Sequence, residues 1–436
     1  MTAIATPTAK SLQQLAPHVT PKIKDGDLTT AQFGLIGVGV VLIGASWMTE
    51  HFYLSYLVGY MGVLGIVLGA LFFTMIQHIT RAGWSVSVRR VAENIAATLP
   101  FMLVLFIPIV VGFNDIYGHW THAVTDPNLP DYDAVVAGKS GYLSTTFFFV
   151  RVAIYFAIWI GLALFFRSQS VKQDETGDPA ISLRLSRVAA PGLFVFALSL
   201  TFAAFDWIMS IDPHWFSTIF GVTYFAGGFM AFLAYTIVLS KWLTKKGYYK
   251  DVITTEHYHD LGKLMWAFMV FWTYTNFSQY MLIWYANLPE ETRWFADRAE
   301  HGWGAIGMLL IVGHFLFPFV FLLSRNMKRH GMILPLGAVI MLVIHCFDMQ
   351  FLILPSGMAE HGADHAAAGH EAAAEHAHGF AADFGTYLHT ISWADFGCFV
   401  GMISLVTGLV LLNARRTNLI PLRDPRLKES LTFQNF

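Results

Sequence analysis

Four ionisable side chains stand inside stretches that are otherwise apolar: Asp206, Asp348, Asp395 and Arg151. Holding such a group in a bilayer costs roughly 2.5–3.5 kcal/mol, so each is a candidate either for proton transfer or for an ion pair that fixes helix packing. Burial favours the neutral acid and a nearby guanidinium favours the carboxylate, so a membrane Asp with an Arg in reach can take up and release a proton. Arg151 is the one cation expected within a span; burying it unpaired is expensive, and it reads as a counter-ion rather than a carrier. His314 and His345 fall mid-span in consecutive segments at similar depth. Such a pair could ligate a b-type haem axially, but a proton relay or a hydrogen-bonded core pair needs nothing else, and no cofactor is expected in this chain. His78, beside Gln77, and the string Glu256-His257-Tyr258-His259-Asp260 are titratable groups at the opposite mouth, where they are either wetted surface or proton entry. The segment AEHGADHAAAGHEAAAEHAHGF, Ala359 to Phe380, is rich in His, but its spacing matches no fixed ligand geometry and it reads as a solvated insertion.

These residues need a membrane to give them meaning, and composition supplies it. Of 436 residues 55% are hydrophobic and 13% charged, with a mean hydropathy of +0.53, which excludes an ordinary soluble domain. A formal charge of −2 with no basic cluster excludes nucleic acid as a partner. Cys346 and Cys398 are the two cysteines and form no CxxC, so any iron–sulfur cluster or covalent haem belongs to a partner. The first thirty residues have no apolar core ahead of a cleavage site and read as a leader on the side of synthesis.

A bilayer core requires about 20 apolar residues per helix. Spans are predicted near 31–49, 53–77, 95–113, 142–167, 188–210, 215–243, 263–286, 303–324, 332–354 and 391–413, giving a leader (1–30), a ten-helix membrane domain (31–413, with a His/Ala-rich loop at 356–390) and a tail (414–436). Of the 27 Lys and Arg, the opposite loops carry only Lys139, Arg293 and Arg298; apart from Arg151 the rest gather on the side of the termini. By the positive-inside rule both termini of a multi-pass protein are then cytoplasmic. On this map Asp206, Asp348 and Asp395 lie within roughly 10 Å of the outer boundary and Arg151 at about 14 Å, at ~1.5 Å per residue.

A faint repeat organises the spans. Phe205-Asp206 precedes Pro213 with the spacing at which Phe347-Asp348 precedes Pro355, and His51-Phe52 and His214-Trp215 open the second and sixth helices. The expected architecture is all-α, with two four-helix bundles (helices 2–5 and 6–9) and helices 1 and 10 peripheral.

The stretches HFYLSYLVGYMGVLGIVLGALFFTMIQHITRAGWSVSVRRVAENIAATLPF and FDWIMSIDPHWFSTIFGVTYFAGG resemble the ActF subunit family of bacterial alternative complex III, the quinol:cytochrome c oxidoreductase, within the NrfD or polysulfide-reductase-anchor superfamily. The resemblance runs from about residue 30 to the end of helix 10. It implies a bacterial cytoplasmic-membrane subunit without redox cofactor, a candidate proton conduit. Its implied partners are a sister NrfD-like subunit, an iron–sulfur subunit that works with menaquinone or another quinol, c-type haem subunits, lipids and a terminal oxidase. Two rival expectations are a quinol-binding catalytic subunit, with Asp206 or Asp348 accepting the quinol proton, and a secondary transporter with repeated halves.

Overall fold

The structure, a computed structural model, describes residues 22–24, 26–299, 301–366 and 380–435. It is all-α, and among the described residues the only β pairing is an isolated bridge between Val124 and Tyr132. Ten long helices follow one another: α1 (Thr29–Ser46), α2 (Phe52–Ile79), α3 (Val86–Val111), α4 (Thr145–Thr176), α5 (Pro179–Trp207), α6 (Phe220–Lys245), α7 (Thr255–Ala286), α8 (Trp303–Leu323), α9 (Ile333–Ala366) and α10 (Trp393–Arg415). Among the described residues nine are long and apolar enough to cross a membrane. The exception is α7, whose C-terminal half contains TYTNFSQY. Its polar side chains turn back onto the helix: Thr273 Oγ1 donates to Met269 O (2.9 Å), Thr275 Oγ1 and Asn276 Nδ2 to Trp272 O (2.9 and 3.1 Å). Such back-bonding satisfies polar groups without water, and the 32 residues reach from one end of the bundle to the other.

The helices pack as two rings, α2–α5 and α6–α9, that share a seam where α2 meets α6; α10 lies against α2 and carries α1 on its outer side. Small residues make the seams close. A Cβ on Gly65 of α2 would stand 3.1 Å from the Gly228 Cα of α6, and one on Gly39 of α1 2.6 Å from the Gly401 carbonyl of α10. Where hydrocarbon surrounds every helix, close backbone approach gives the dispersion contact that apolar burial gives in water.

Several boundaries differ from those predicted. Helix α3 starts at Val86, so Arg89, Arg90 and Glu93, expected in a loop, are buried inside it. Mutual pairing makes that tolerable: Arg89 meets Glu93 (3.3 Å) and Asp424 (2.5 Å), and Arg90 meets Glu93 and Asp174 (both 2.9 Å). The tail is part of the packed body, with Leu419, Ile420 and Leu427 fully buried and Ser430 bonded to Ser87 (2.8 Å). Pro355, expected to close the ninth helix, sits inside α9, which continues to Ala366. The expected loop 356–390 is therefore helical at both flanks, at 356–366 and at Phe380–Thr390; residues 367–379 lie outside the described residues.

Candidate functional site

The two aspartates of the repeat occupy opposite kinds of environment. Asp206, near the end of α5, is fully buried and saturated. Arg151 of α4 grips it bidentately (Nε to Oδ2 2.8 Å, a terminal NH2 to Oδ1 2.9 Å), and Tyr155 Oη adds a third donor at 2.7 Å. The guanidinium also donates to Tyr142 O (3.0 Å) and lies over the rings of Tyr142 and Phe147, 3.9 and 4.4 Å from their centroids. A planar fork on a carboxylate, stacked between aromatic faces, is the strong form of a charge-assisted pair. Arg151 is thus the counter-ion of Asp206 and locks α4 to α5.

Asp348 has no basic partner among the described residues. It is 3% exposed and lies beside the Trp272 indole of α7 under Gly227 of α6, where a Cβ would stand 3.2 Å from both the carboxylate Oδ2 and the indole Cδ1. Because α9 runs past Pro355, Asp348 stands about 15 Å from the Met358 end of the span at ~1.5 Å per residue. The helix thus continues farther beyond Asp348 than the span ending at 354 predicted, and the group is buried within the second bundle.

Around it gather more groups without partners. His314 of α8 is fully buried with neither ring nitrogen hydrogen-bonded, and its ring lies 3.8 Å from that of Trp272, whose Nε1 is also unpartnered. His345 sits one helical turn before Asp348 on α9, within electrostatic reach of His314; its Nε2 meets Gly62 O of α2 at 3.2 Å and its Nδ1 has no partner. Buried polar atoms are rarely left so, and each calls for an explanation.

Local sequence explains the placement of His314. Pro318 has no N–H to give the carbonyl four residues earlier, which is that of His314. The helix widens to a π turn over Ile311–Leu316, where Phe317 N reaches back to Val312 O. Such π segments recur at functional positions because they turn a side chain out of α register.

The other expected site residues are accounted for elsewhere. Asp395 closes the capping box of α10, accepting from Ser392 N (2.8 Å) and from Ser55 Oγ (2.6 Å), which ties α10 to α2. Glu256 is clamped by Arg329 and by Asn435 N. His257 caps α7 through Thr254 and meets Ser430 (3.1 Å). Of that string His259 alone keeps an unpartnered ring nitrogen, Nδ1. His78 lies under Phe166 at the end of α2 in the first bundle, away from the Asp348 cluster. Among the described residues no cluster of three or more His, Cys, Asp or Glu is arranged to hold a metal ion.

Trp272 and Gly227 escaped the sequence reading, since a Trp and a Gly-Gly step in Phe-rich helices look like packing. The Gly227-Gly228 pair held the signal: Gly228 is needed for the α2 seam, whereas Gly227 faces the carboxylate.

What the cluster can do is transfer protons. A carboxyl, two imidazoles and an indole N–H stand within one bundle, with both ring nitrogens of His314 and Nδ1 of His345 without a hydrogen-bond partner. Compared with protein-family models and with curated proteins, the chain matches none.

Proposed function

We propose that this membrane protein is a cofactor-free integral subunit of a respiratory quinol:electron-acceptor oxidoreductase and that it carries protons through its second bundle. Asp348, buried with no basic partner among the described residues and one helical turn from His345, is the observation that carries the proton role. An imidazole and a carboxyl one helical turn apart can pass a proton without leaving a net charge stranded in a dry interior. In this reading a proton enters near His259, at the end of α7 that packs with the tail, and reaches the His314/His345 pair. It leaves past Asp348 along α9. The resemblance to ActF supports the complex, with a sister NrfD-like subunit, an iron–sulfur subunit and c-type haem subunits carrying the electrons, and supports a bacterial cytoplasmic membrane with both termini inside.

The test is the proton-to-electron ratio of the intact complex in vesicles carrying Asp348→Asn, which keeps the shape of the side chain and removes its titration. Quinol turnover and complex yield are expected to persist while the ratio falls. A normal ratio at normal yield in Asp348→Asn and in His314→Phe overturns the proton path.

One observation favours quinol binding as a second reading. A cleft of about 220 Å³ at the far end of the first bundle is walled by Tyr142, Phe202, Phe205, Trp215 and Phe216. Tyr142 is also the ring over Arg151, so a quinol seated there would lie one side chain from the Asp206 pair. Loss of quinol turnover in Phe205→Trp, with Asp348→Asn silent, would favour this reading.

A further inference from the structure

A second cleft, also of about 220 Å³, opens at the end of the molecule that carries the tail, between the end of α2, the starts of α3 and α5, and the tail itself. Its chemistry is cationic. Arg81, Arg89 and Arg426 line it against a single acid, Asp424. That acid is already engaged by Arg89 (2.5 Å) and by Arg426 N (2.8 Å). The guanidinium groups of Arg81 and Arg426 make no hydrogen bond or ion pair within the described residues.

Two buried side chains on the cleft wall are also unsatisfied: His78, 5% exposed, at Nε2 and Gln77, 7% exposed, at Oε1. Ser182 Oγ accepts from Gln173 Nε2 (2.7 Å), which leaves its own proton to donate inward. The start of α5 faces the cleft with Pro179 in its first turn, its N-terminus capped by Asp178, which accepts from Ala180 N (2.8 Å).

We infer that this cleft seats the phosphate of an anionic membrane lipid, with the Arg81 and Arg426 guanidiniums and His78 Nε2–H as donors and Gln77 Oε1 accepting from a headgroup hydroxyl. The rim selects a lipid over free phosphate. Leu183 at the cleft is 40% exposed, and farther along α5 Phe194 and Leu198 are 68% and 47% exposed. That row gives an acyl chain a track away from the headgroup. The matching ligand is a phosphodiester with a hydroxylated headgroup, as in phosphatidylglycerol. Arginine forks are suited to phosphate oxygens.

The full-length chain, purified in detergent and stripped of lipid, is titrated with short-chain phosphatidylglycerol, with phosphatidylcholine and with inorganic phosphate. Retention is read by native mass spectrometry and stabilisation by thermal unfolding. Phosphatidylglycerol is expected to bind and to raise the unfolding temperature, and the other two are not. The Arg81→Gln/Arg426→Gln double variant is expected to weaken it at least about tenfold, as is His78→Phe, which keeps the contact with Phe166. Arg184→Gln with Arg187→Gln, on α5 outside the cleft, leaves binding unchanged if the site is specific. Equal binding of phosphatidylcholine, or an unchanged affinity in the cleft variants, overturns the site. Inorganic phosphate stabilising as well as the lipid overturns the lipid assignment.

Discussion

Asp206 and Asp348 share a local sequence and deep burial and differ in their partners. The first is held by three donors, and the arginine that supplies two of them is itself buried. Removing one partner of such a pair strands a desolvated charge at a cost of about 3–5 kcal/mol. Asp206→Asn is therefore expected to lower complex yield and the unfolding temperature sharply. Tyr155→Phe, which takes away one donor of three, is expected to cost about 1.5 kcal/mol. Asp348→Asn has no such partner to strand and is expected to leave thermal unfolding in detergent nearly unchanged. Equal destabilisation by Asp206→Asn and Asp348→Asn would show that the two sites are not distinguished in this way.

The elements are joined by glycine seams whose tolerance differs sharply along the same helix class. A Cβ on Gly59 would stand 2.7 Å from the Cys398 carbonyl carbon, and one on Gly65 3.1 Å from Gly228 Cα, both against backbone that cannot yield without moving a helix. Gly59→Ala and Gly65→Ala are each expected to destabilise by about 1–3 kcal/mol. Gly34 and Gly37 of α1 have nothing within 4 Å of an added Cβ, so alanine there is expected to be neutral or to stabilise by up to about 1 kcal/mol. Thermal unfolding of the four variants separates seam from surface. At Gly227 the expectation is functional as well: alanine would press on the Asp348 carboxylate and Trp272.

Over the whole molecule the ends of the helices meet in alternation. Residues from α3, α4, α7 and the tail join at one end, through Arg89, Asp174, Glu256 and Asp424; at the other, Ser55 of α2 bonds Asp395 of α10, and Gln350 of α9 accepts from Tyr387 of the helix Phe380–Thr390. Cysteines test which end faces the cytoplasm, against a quiet background because Cys346 and Cys398 are both buried. Gly138→Cys is expected to label only from the outside and Lys250→Cys only from the cytoplasm. The reverse pattern would invert the orientation and with it the direction of any proton path.

Much of this was legible from sequence, because apolar runs of about 20 residues have no alternative but to cross a membrane. The all-α class follows from that, and Arg151 as an expensive lone cation pointed to a counter-ion. The two bundles could be read from the paired Phe-Asp steps. What one dimension could not hold was the partner of each charge. Arg89, Arg90 and Glu93 look like a loop until Asp174 and Asp424, far along the chain, neutralise them inside the body. Asp206 and Asp348 look alike until folding brings Arg151 and Tyr155 to one and only Trp272 and two histidines to the other. Hydropathy is a sum over neighbours in sequence, whereas the cost of a buried charge is set by its neighbours in space. The apolar pattern therefore determined the spans, and only the tertiary structure decided which carboxylate is locked in an ion pair and which has no basic partner among the described residues.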